Sequence, residues 1–287
     1  MMSDLTIQYQ FKNLTKALER LYPKREAESI AYVAIEHVLN YSKFKYAEHR
    51  QELFPKKELE QWNNISTRLI AGEPVQYIIG SAPFYCLNFK VSPAVLIPRP
   101  ETEEMAELIL KENNEDSLRI LDIGTGSGCI PVSLKFNRNN WKVFATDISE
   151  EAVKIAEENA KSNDTEIKIF VDDIFNSKAF RLDNKFDIIV SNPPYIPLSE
   201  KQKMHKNVIN FEPHLALFIP DEDPVKYNKA IAEFAKTHLG EKGKIYVEIH
   251  ENYADEGVNV FNESGFCKNE IIFDINNKPR IIKSSFL

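Results

Sequence analysis

The feature that most constrains the fold is a glycine-rich turn that follows a buried strand pattern. Glycines stand at Gly124, Gly126 and Gly128, after the apolar run Leu118–Ile123 and before a helical pattern. Glycine reaches positive φ values and, without a Cβ, lets backbone N–H groups approach a ligand. A dinucleotide-binding turn would have its third glycine at the position of Cys129, and no Gly-Lys-Ser/Thr follows as in a P-loop. The turn therefore predicts a ligand site of another kind at the end of a strand, where open α/β sheets bind ligands.

Helical and strand patterns alternate from about residue 100 onwards. The predicted strands of this region are Leu118–Ile123, Val143–Thr146, Ile167–Val171, Phe186–Ser191 and Lys244–Ile249. Such alternation is typical of a mostly parallel sheet with helices on both faces. The last two runs, Glu270–Ile275 and Arg280–Phe286, predict a closing antiparallel hairpin. The expected fold class is α/β, with a Rossmann-like sheet.

The beginning of the chain has a different character. No glycine precedes Gly72, and apolar residues recur at helical spacing, with His37 on the predicted buried stripe. Residues 1–72 therefore predict a small all-helical N-terminal domain of four or five helices. Residues 73–98 carry short alternating apolar runs bounded by glycine and proline, which predict a β-hairpin linker. Residues 99–287 then form the α/β domain.

Composition excludes several classes of protein. The 287 residues include 43 acidic and 36 basic side chains, and a net charge of −7 argues against a protein that mainly binds nucleic acid phosphates. Three distant cysteines and six scattered histidines predict neither a disulfide framework nor a metal site. The segment MMSDLTIQYQFKNL lacks a signal-peptide pattern, and no run approaches the ~20 apolar residues of a membrane helix. We therefore expect a cytoplasmic protein without membrane contact.

Acidic side chains stand at the predicted ends of the next two strands. Asp147 ends the second strand, where a carboxylate can accept hydrogen bonds from both ribose hydroxyls of an adenosyl group. Asp173 and Ile174 follow the third strand. Together with the glycine turn, these positions resemble the motifs of class I methyltransferases that use S-adenosylmethionine. The resemblance implies cofactor contacts, and release of S-adenosylhomocysteine, at Gly124, Thr125, Gly126, Ser127, Gly128, Asp147, Asp173, Ile174 and Asn192.

The sequence Asn192-Pro193-Pro194-Tyr195 follows the fourth predicted strand. An NH2 group on a planar carbon can donate one hydrogen to the Asn192 side-chain oxygen and the other to the Pro193 carbonyl. Both acceptors would lie in the substrate plane, with Tyr195 against its face, so that the nitrogen lone pair points out of that plane toward an activated methyl group. Orientation of this kind contributes up to ~7–11 kcal/mol of barrier reduction. The motif alone admits many amino-methyltransferases, including those that act on adenine, cytosine or guanine.

Two further segments favour one family among these amino-methyltransferases. Residues 72–80 (GEPVQYIIG) and residues 96–103 (LIPRPETE) resemble the linker and entry motifs of the HemK/PrmC family, the peptide chain release factor glutamine methyltransferases. Phe211-Glu212-Pro213 and Glu248 match the same pattern. The resemblance implies methyl transfer from S-adenosylmethionine to the side-chain amide of the glutamine in the Gly-Gly-Gln motif of release factors.

The resemblance also implies roles for individual residues. Asn192, Pro193, Pro194 and Tyr195 would be the catalytic residues and would bind the glutamine amide. Arg99 and Glu101, with Glu103, would lie beside the cofactor entrance and contribute to substrate binding.

Several other expectations follow from the resemblance. The protein partners would be release factors, the chain would be a monomer, and neither a metal nor stable nucleic acid binding is expected. The chain departs from the family pattern at Cys86, His250 and Tyr253. A nucleic acid amino-methyltransferase and a catalytically silent cofactor-binding protein remain the alternatives.

Overall fold

The computed structural model describes residues 5–180 and 185–286. Residues 1–4, which open the segment examined for a signal peptide, lie outside the described residues. The chain divides into two compact units. One contains the described residues up to Gly80 together with His205–Phe211, and the other contains Ser81–Met204 and the chain from Glu212 onwards.

The first unit is helical at the beginning of the chain, as the sequence predicts, but its helices extend to Ile79, beyond the predicted end at residue 72. Thr6 begins the first helix as its N-cap, because the Thr6 hydroxyl accepts a hydrogen bond from the Tyr9 amide at 3.2 Å. Leu18, Ile35 and Trp62 are fully buried in the core of this unit. Its helices in the described residues are α1 (Ile7–Leu18), α2 (Lys24–Leu39), α3 (Lys43–His49), α4 (Leu59–Ile70) and α5 (Val75–Ile79).

The prediction for His37 is wrong, because its side chain is exposed on α2. The residues of α2 that face the core are Ala27, Ala31, Ala34, Ile35 and Val38. Their spacing of three and four residues defines one stripe of the helix, and position 37 lies outside it. Small alanines rather than large apolar residues mark the buried face, so that the stripe is harder to recognise in the sequence.

The expected linker at 73–98 begins later in the structure. Residues Val75–Ile79 form helix α5, which belongs to the helical unit. Pro74 precedes this helix, and Gly80 ends it with a left-handed φ of 72°. These residues are ordinary helix boundary signals, whereas the sequence analysis assigned them to a hairpin. The hairpin itself contains only β1 (Ser81–Phe84) and β2 (Leu87–Lys90).

The turn of this hairpin explains how the chain accommodates Cys86. Tyr85 and Cys86 are its two central residues, with φ values of 46° and 62°. A two-residue turn with positive φ at both positions matches the twist of antiparallel strands and favours glycine or asparagine. Cys86 adopts this conformation at an energetic cost that glycine would avoid.

The second unit contains a large sheet. The strands after the hairpin in the described residues are β3 (Arg119–Ile123), β4 (Lys142–Asp147), β5 (Lys168–Val171), β6 (Phe186–Ser191), the short pair β7 (Ile196–Pro197) and β8 (Phe218–Ile219), β9 (Leu239–Glu248), β10 (Lys268–Phe273) and β11 (Pro279–Ser285). Seven of them form one sheet, in the order β10-β11-β9-β6-β3-β4-β5. The strands from β9 to β5 in this order are parallel, whereas β11 is antiparallel to both of its neighbours, β9 and β10. The α/β fold class and the closing hairpin are therefore confirmed.

Alternate residues of the central strands pack into two separate apolar clusters. Ile120 and Ile188 belong to one cluster, while Leu121 and Ile189 belong to the other. The first cluster includes residues of helices α6 (Pro100–Glu112), α7 (Cys129–Asn137) and α8 (Glu150–Ser162). The second includes residues of α10 (Lys226–His238) and α11 (Ala254–Glu263). Because successive side chains of a strand point to opposite faces, helices cover both faces of the sheet.

The remaining helix, α9 (Lys206–Phe211), lies late in the chain but packs within the helical unit. His205 stacks on Tyr22 with ring centroids 5.2 Å apart, and its Nε2 donates to the Leu21 carbonyl oxygen at 2.9 Å. The Asn207 side-chain Nδ2 donates to the Tyr22 hydroxyl at 3.4 Å. The chain therefore contributes two separate segments to the helical unit.

Candidate active site

The strand register brings the predicted motifs to one edge of the sheet. Ile123 pairs with Thr146 on one side and with Ser191 on the other. The glycine turn, Asp147 and Asn192 therefore leave three neighbouring strands at the same level. Together with the segment after β5 they line a cavity of about 420 Å³. This is the carboxyl edge, at which open α/β sheets bind ligands.

The glycine turn forms an open cradle on one side of this cavity. Gly124 and Gly126 have φ values of 74° and 55°, and a Cβ added at either position would meet no atom within 4 Å. A side chain there would therefore occupy the space available to a ligand. Thr125 and Ser127 also line the cavity.

Gly128 has a packing role. It precedes α7 with a φ of 79°, and an added Cβ would lie 3.0 Å from the Cβ of Ala156 on α8. This glycine therefore permits the close approach of α7 and α8. It is not among the residues that line the cavity.

Asp147 binds two backbone amides, one in the glycine turn and one at the start of α8. Its Oδ2 accepts a hydrogen bond from the Gly126 amide at 2.8 Å, and its Oδ1 accepts one from the Ser149 amide at 2.9 Å. Burial raises the pKa of Asp147, and these backbone donors oppose the shift. The carboxylate lines the cavity, and each oxygen retains a lone pair for a further donor.

The segment after β5 and the start of α10 form an apolar wall. Ile174 lies in this wall, and the Asp173 carboxylate accepts from the Phe175 amide at 3.0 Å. The rings of Phe175 and Tyr227 lie 5.1 Å apart, and both line the cavity. The sequence analysis missed Tyr227, because nothing in its neighbourhood distinguishes it from an ordinary helix residue.

A buried carboxyl lies directly before the glycine turn. Asp122 is completely buried on β3, and neither of its oxygens makes a hydrogen bond of good geometry within the described residues. Burial raises the pKa of Asp122 to about 7, and the Thr125 hydroxyl opposes this shift only in part. Asp122 lies within the predicted strand Leu118–Ile123, and no sequence motif gives it a role.

The Asn192 side chain is held by a chain of hydrogen bonds. Its Nδ2 donates to the Thr102 hydroxyl at 2.9 Å, and that hydroxyl donates to Glu248 Oε2 at 2.8 Å. The other carboxylate oxygen, Oε1, accepts from the Tyr195 hydroxyl at 3.0 Å. Ser191, at the end of β6, pairs with Val247, which places Glu248 beside Asn192. Asn192, Pro193, Pro194 and Thr102 line the cavity.

The pKa values in this network are shifted by burial. Burial raises the pKa of Glu248, although the hydrogen bonds from Thr102 and Tyr195 and the charge of Arg280 oppose the shift. Burial and the nearby Glu248 carboxylate raise the pKa of Tyr195. The raised pKa keeps the Tyr195 hydroxyl protonated at neutral pH, so that it remains a hydrogen-bond donor.

The Tyr195 ring is not placed as the sequence predicts, with its face toward the substrate. It does not appear among the residues that line the cavity, and its hydroxyl is used by Glu248. The ring lies edge-on to His250, with centroids 6.2 Å apart. The direct contact with substrate thus stays a prediction, while the structure gives Tyr195 a supporting contact behind Asn192.

The entry segment makes internal contacts. Arg99 lines the cavity and forms an ion pair with the buried Glu212, which also accepts from the Ile97 amide at 3.4 Å. Glu103 accepts from the Tyr85 amide at 2.9 Å and so holds the hairpin turn. Glu101 is half-buried and outside the cavity lining. Substrate binding by Arg99 and Glu101 stays a prediction.

The two other departures from the family pattern lie behind this site. His250 Nε2 donates to Glu200 Oε2 at 3.2 Å, while its Nδ1 accepts from the Asn252 amide. The ring of Tyr253 lies 5.4 Å from that of His250. His250 therefore connects the end of β9 to the short helix that follows the Asn-Pro-Pro-Tyr segment.

Within residues 5–180 and 185–286, no group of three or more histidine, cysteine, aspartate or glutamate side chains is arranged to hold a metal ion. In the same part of the chain, no helix combines the length and apolar composition that a bilayer crossing requires.

Two families match consecutive parts of the chain. Residues 12–80 match the family described as PrmC N-terminal domain. Residues 101–212 match the family described as Methyltransferase small domain. The first match lies in the helical unit, and the second contains the glycine turn, Asp147 and the Asn-Pro-Pro-Tyr segment.

Curated relatives extend over nearly the whole chain. A protein of Bacteroides thetaiotaomicron named release factor glutamine methyltransferase is 39% identical, over 95% of this chain and 97% of the relative. A protein of Streptococcus pneumoniae with the same name is 45% identical, over 83% of each chain.

Solved structures support the fold. A methyltransferase from Pyrococcus furiosus superposes with a TM-score of 0.53 at 18% identity, over 78% of this chain and 98% of its own. At this identity, the likeness shows a class I methyltransferase fold and nothing about substrate.

Proposed function

The chain belongs to the release factor glutamine methyltransferase family, and from this premise we propose that it methylates the glutamine of the Gly-Gly-Gln motif in peptide chain release factors. The methyl group would pass from S-adenosylmethionine to the side-chain amide nitrogen, N5. One observation carries the proposal: the glycine cradle and the Asn192-Pro193 segment line the same cavity. A cofactor held by the turn and an amide held by Asn192 would therefore meet.

The residues of the cavity fit S-adenosylmethionine. The open space beside Gly124 and Gly126 accommodates a ligand close to the backbone. Asp147 offers carboxylate oxygens for ribose hydroxyls, and Asp173 with the apolar wall at Ile174 suits an adenine ring. When bound, the cofactor supplies a methyl group activated by a sulfonium.

The chain's own residues would orient the amide. The Asn192 Oδ1 and the Pro193 carbonyl would each accept one N–H of the glutamine side chain. An amide nitrogen is a weak nucleophile because its lone pair is shared with the carbonyl, so orientation has to supply much of the rate. No base is required before the transfer, since the nitrogen becomes acidic once it carries the methyl group and then releases its proton.

Several finer statements belong to the same proposal. We expect the protein to act as a monomer in the cytoplasm, without a metal, and to bind release factors rather than nucleic acid. The net charge of −7 supports the last of these, because nucleic acid binding usually relies on a basic surface.

Labelled methyl transfer tests the proposed function. The full chain would be incubated with methyl-labelled S-adenosylmethionine and purified release factor, with DNA and RNA in parallel reactions. A release factor whose Gly-Gly-Gln glutamine is replaced by alanine serves as the matched substrate control. We expect label on the intact release factor alone. Label on nucleic acid only, or equal label on the alanine control, would contradict the proposal.

A further inference from the structure

The hydrogen bonds around Asn192 have a fixed direction. Glu248 accepts from the Thr102 hydroxyl through one oxygen and from the Tyr195 hydroxyl through the other. Burial raises the pKa of Glu248, but the hydrogen bonds from Thr102 and Tyr195 and the charge of Arg280 favour its carboxylate form. As a carboxylate it has no proton to donate, so each hydroxyl uses its single hydrogen toward Glu248. The Thr102 oxygen is then left with lone pairs, and it can only accept from Asn192.

This direction decides which end of the Asn192 amide faces Thr102. Only the Nδ2 group carries hydrogens, so it must point to the Thr102 hydroxyl, as the 2.9 Å contact shows. The amide oxygen and nitrogen lie on opposite sides of the side chain, which turns Oδ1 away from Thr102. The orientation thus follows from the donor and acceptor chemistry of Asn192, Thr102 and Glu248.

We propose that Thr102 and Glu248 are positioning residues that hold the Asn192 amide with its oxygen presented to the substrate nitrogen. The inference deepens the proposed function and rests on it for the identity of the substrate. A reversed amide would present Nδ2 to the substrate NH2, so that two donors would face each other without an acceptor. We call the hydrogen bonds from Asn192 to Thr102 and from Thr102 to Glu248 the relay. The relay therefore selects a substrate that donates hydrogen bonds.

The two positioning residues are rigidly placed. Thr102 is 2% exposed in the first turn of α6, where its own amide donates to the Arg99 carbonyl at 3.1 Å. Glu248 is 1% exposed at the end of β9, with the charges of Arg280 and Glu101 nearby. Residues fixed by a helix turn and a strand end can impose an orientation on Asn192 more accurately than a mobile loop residue could.

Threonine variants test the relay. Thr102→Val keeps the shape and removes the hydroxyl, whereas Thr102→Ser keeps the hydroxyl. With release factor as substrate, we expect Thr102→Val to lower kcat by roughly tenfold to a hundredfold, since the amide loses its fixed partner. The dissociation constant for S-adenosylmethionine should change by less than about twofold. Thr102→Ser should rescue most of the lost turnover.

A matched control removes a threonine hydroxyl elsewhere. Thr237, near the end of α10, donates to the Phe234 carbonyl and lies outside the cavity lining. Thr237→Val should keep the kcat of the unmodified chain. Unchanged kcat in Thr102→Val, or equal losses in Thr102→Val and Thr102→Ser, would overturn the relay, because the hydroxyl would then be irrelevant.

A second measurement needs neither substrate nor turnover. In the unmodified chain, the side-chain NH2 resonances of Asn192, identified by their absence in Asn192→Ala, should exchange slowly with solvent because Thr102 accepts one hydrogen. Fast exchange of both hydrogens would overturn the relay even if Thr102→Val fails to fold. If the unmodified chain does not methylate release factor while these resonances are protected, the proposed substrate is wrong and the relay stands.

Discussion

Oδ2 of Asp147 lies 2.8 Å from the backbone nitrogen of Gly126 and accepts its hydrogen. The carboxylate at the end of β4 therefore shapes the glycine turn that follows β3. Asp147 also faces the cavity. One side chain thus has two tasks: it organises the glycine turn and offers carboxylate oxygens to the cavity.

Replacement of Asp147 should weaken cofactor binding through both tasks. We expect Asp147→Ala to raise the dissociation constant for S-adenosylmethionine by an amount equivalent to about 1.5–3 kcal/mol, the scale of hydrogen bonds to a charged group. Isothermal titration calorimetry measures the change. Asp147→Asn keeps the shape but places an NH2 against one of two backbone donors, so it should not restore affinity. Unchanged affinity in either variant would show that the ribose is held elsewhere.

Replacement of Asn192 should separate turnover from cofactor affinity. In Asn192→Ala the glycine cradle and Asp147 are untouched, while the acceptor for the substrate amide is lost. We expect kcat to fall by at least about a hundredfold, because orientation supplies much of the barrier reduction, with little change in cofactor affinity. Rates of label transfer at saturating cofactor, together with calorimetry, check both parts. A variant with wild-type turnover would rule out the amide-holding mechanism.

The buried Asp122 should make stability depend on pH. Burial raises the pKa of Asp122 to about 7 in the folded chain, from an ordinary value of 3.8. The folded state thus holds the proton more tightly than the unfolded state, so that this contribution to stability declines as pH rises from about 4 through 7. Asp122→Asn should therefore raise the free energy of unfolding at pH 8 by about 1–4 kcal/mol, with little effect near pH 4.

Urea unfolding of the cofactor-free chain at several pH values measures this difference. Asp122→Asn stabilises the chain because it removes a buried charge. The gain in free energy of unfolding should therefore vanish near pH 4, where the folded chain already holds Asp122 protonated. A constant difference between the two chains from pH 4 to pH 8 would contradict the buried-carboxyl explanation.

Two glycines of the turn should respond differently to alanine. Gly124→Ala imposes a side chain on a φ of 74°, but its Cβ would meet no neighbour. Gly128→Ala adds a Cβ at 3.0 Å from the Cβ of Ala156, together with a φ of 79°. We expect a loss of about 1–2 kcal/mol in unfolding free energy for the first, and a further loss of about 1–3 kcal/mol for the second from overpacking.

Chemical denaturation of both variants provides the comparison, and each serves as the control of the other. Cofactor affinity should fall in Gly124→Ala, where the Cβ enters the cradle. Equal stabilities would show that α7 and α8 can separate enough to admit the extra methyl group.

The Arg99–Glu212 ion pair should contribute to stability as a pair. Glu212 has a side chain that is 1% exposed, so its carboxylate depends on Arg99 for compensation. Arg99→Met should cost about 2 kcal/mol, after allowance for the one-third exposure of Arg99. The double variant Arg99→Met/Glu212→Gln should recover part of that loss, since no unpaired charge remains. Strict additivity in this double-mutant cycle would contradict a direct coupling.

The sequence predicted the elements whose signals are local. Phe186–Ser191 is predicted as a strand and forms β6 with the same bounds, because a mostly apolar run in a buried parallel strand has clear ends. The strand β9 begins at Leu239 rather than Lys244, since residues 240–243 are polar or glycine and interrupt the apolar pattern.

The contacts that join distant parts of the chain could not be predicted in this way. Thr102 and Asn192 are 90 residues apart, and only the packing of α6 beside β9 and β6 brings them together. Likewise, Asp122 stands in the middle of an apolar run, and its raised pKa follows from burial that the sequence pattern implies but does not quantify. Side-chain partners of this kind depend on the three-dimensional register of elements.

The assignment of His205–Phe211 to the helical unit limits how these proteins can be recombined. A gene fragment that ends at Gly80 would lack the ring that covers Tyr22 and the partner of the Leu21 carbonyl. A fragment that starts at Ser81 would carry α9 without the helices against which it folds. Grafting the helical unit of one relative onto the α/β unit of another therefore requires two exchanges, one at the front of the gene and one seven-codon cassette in its later half.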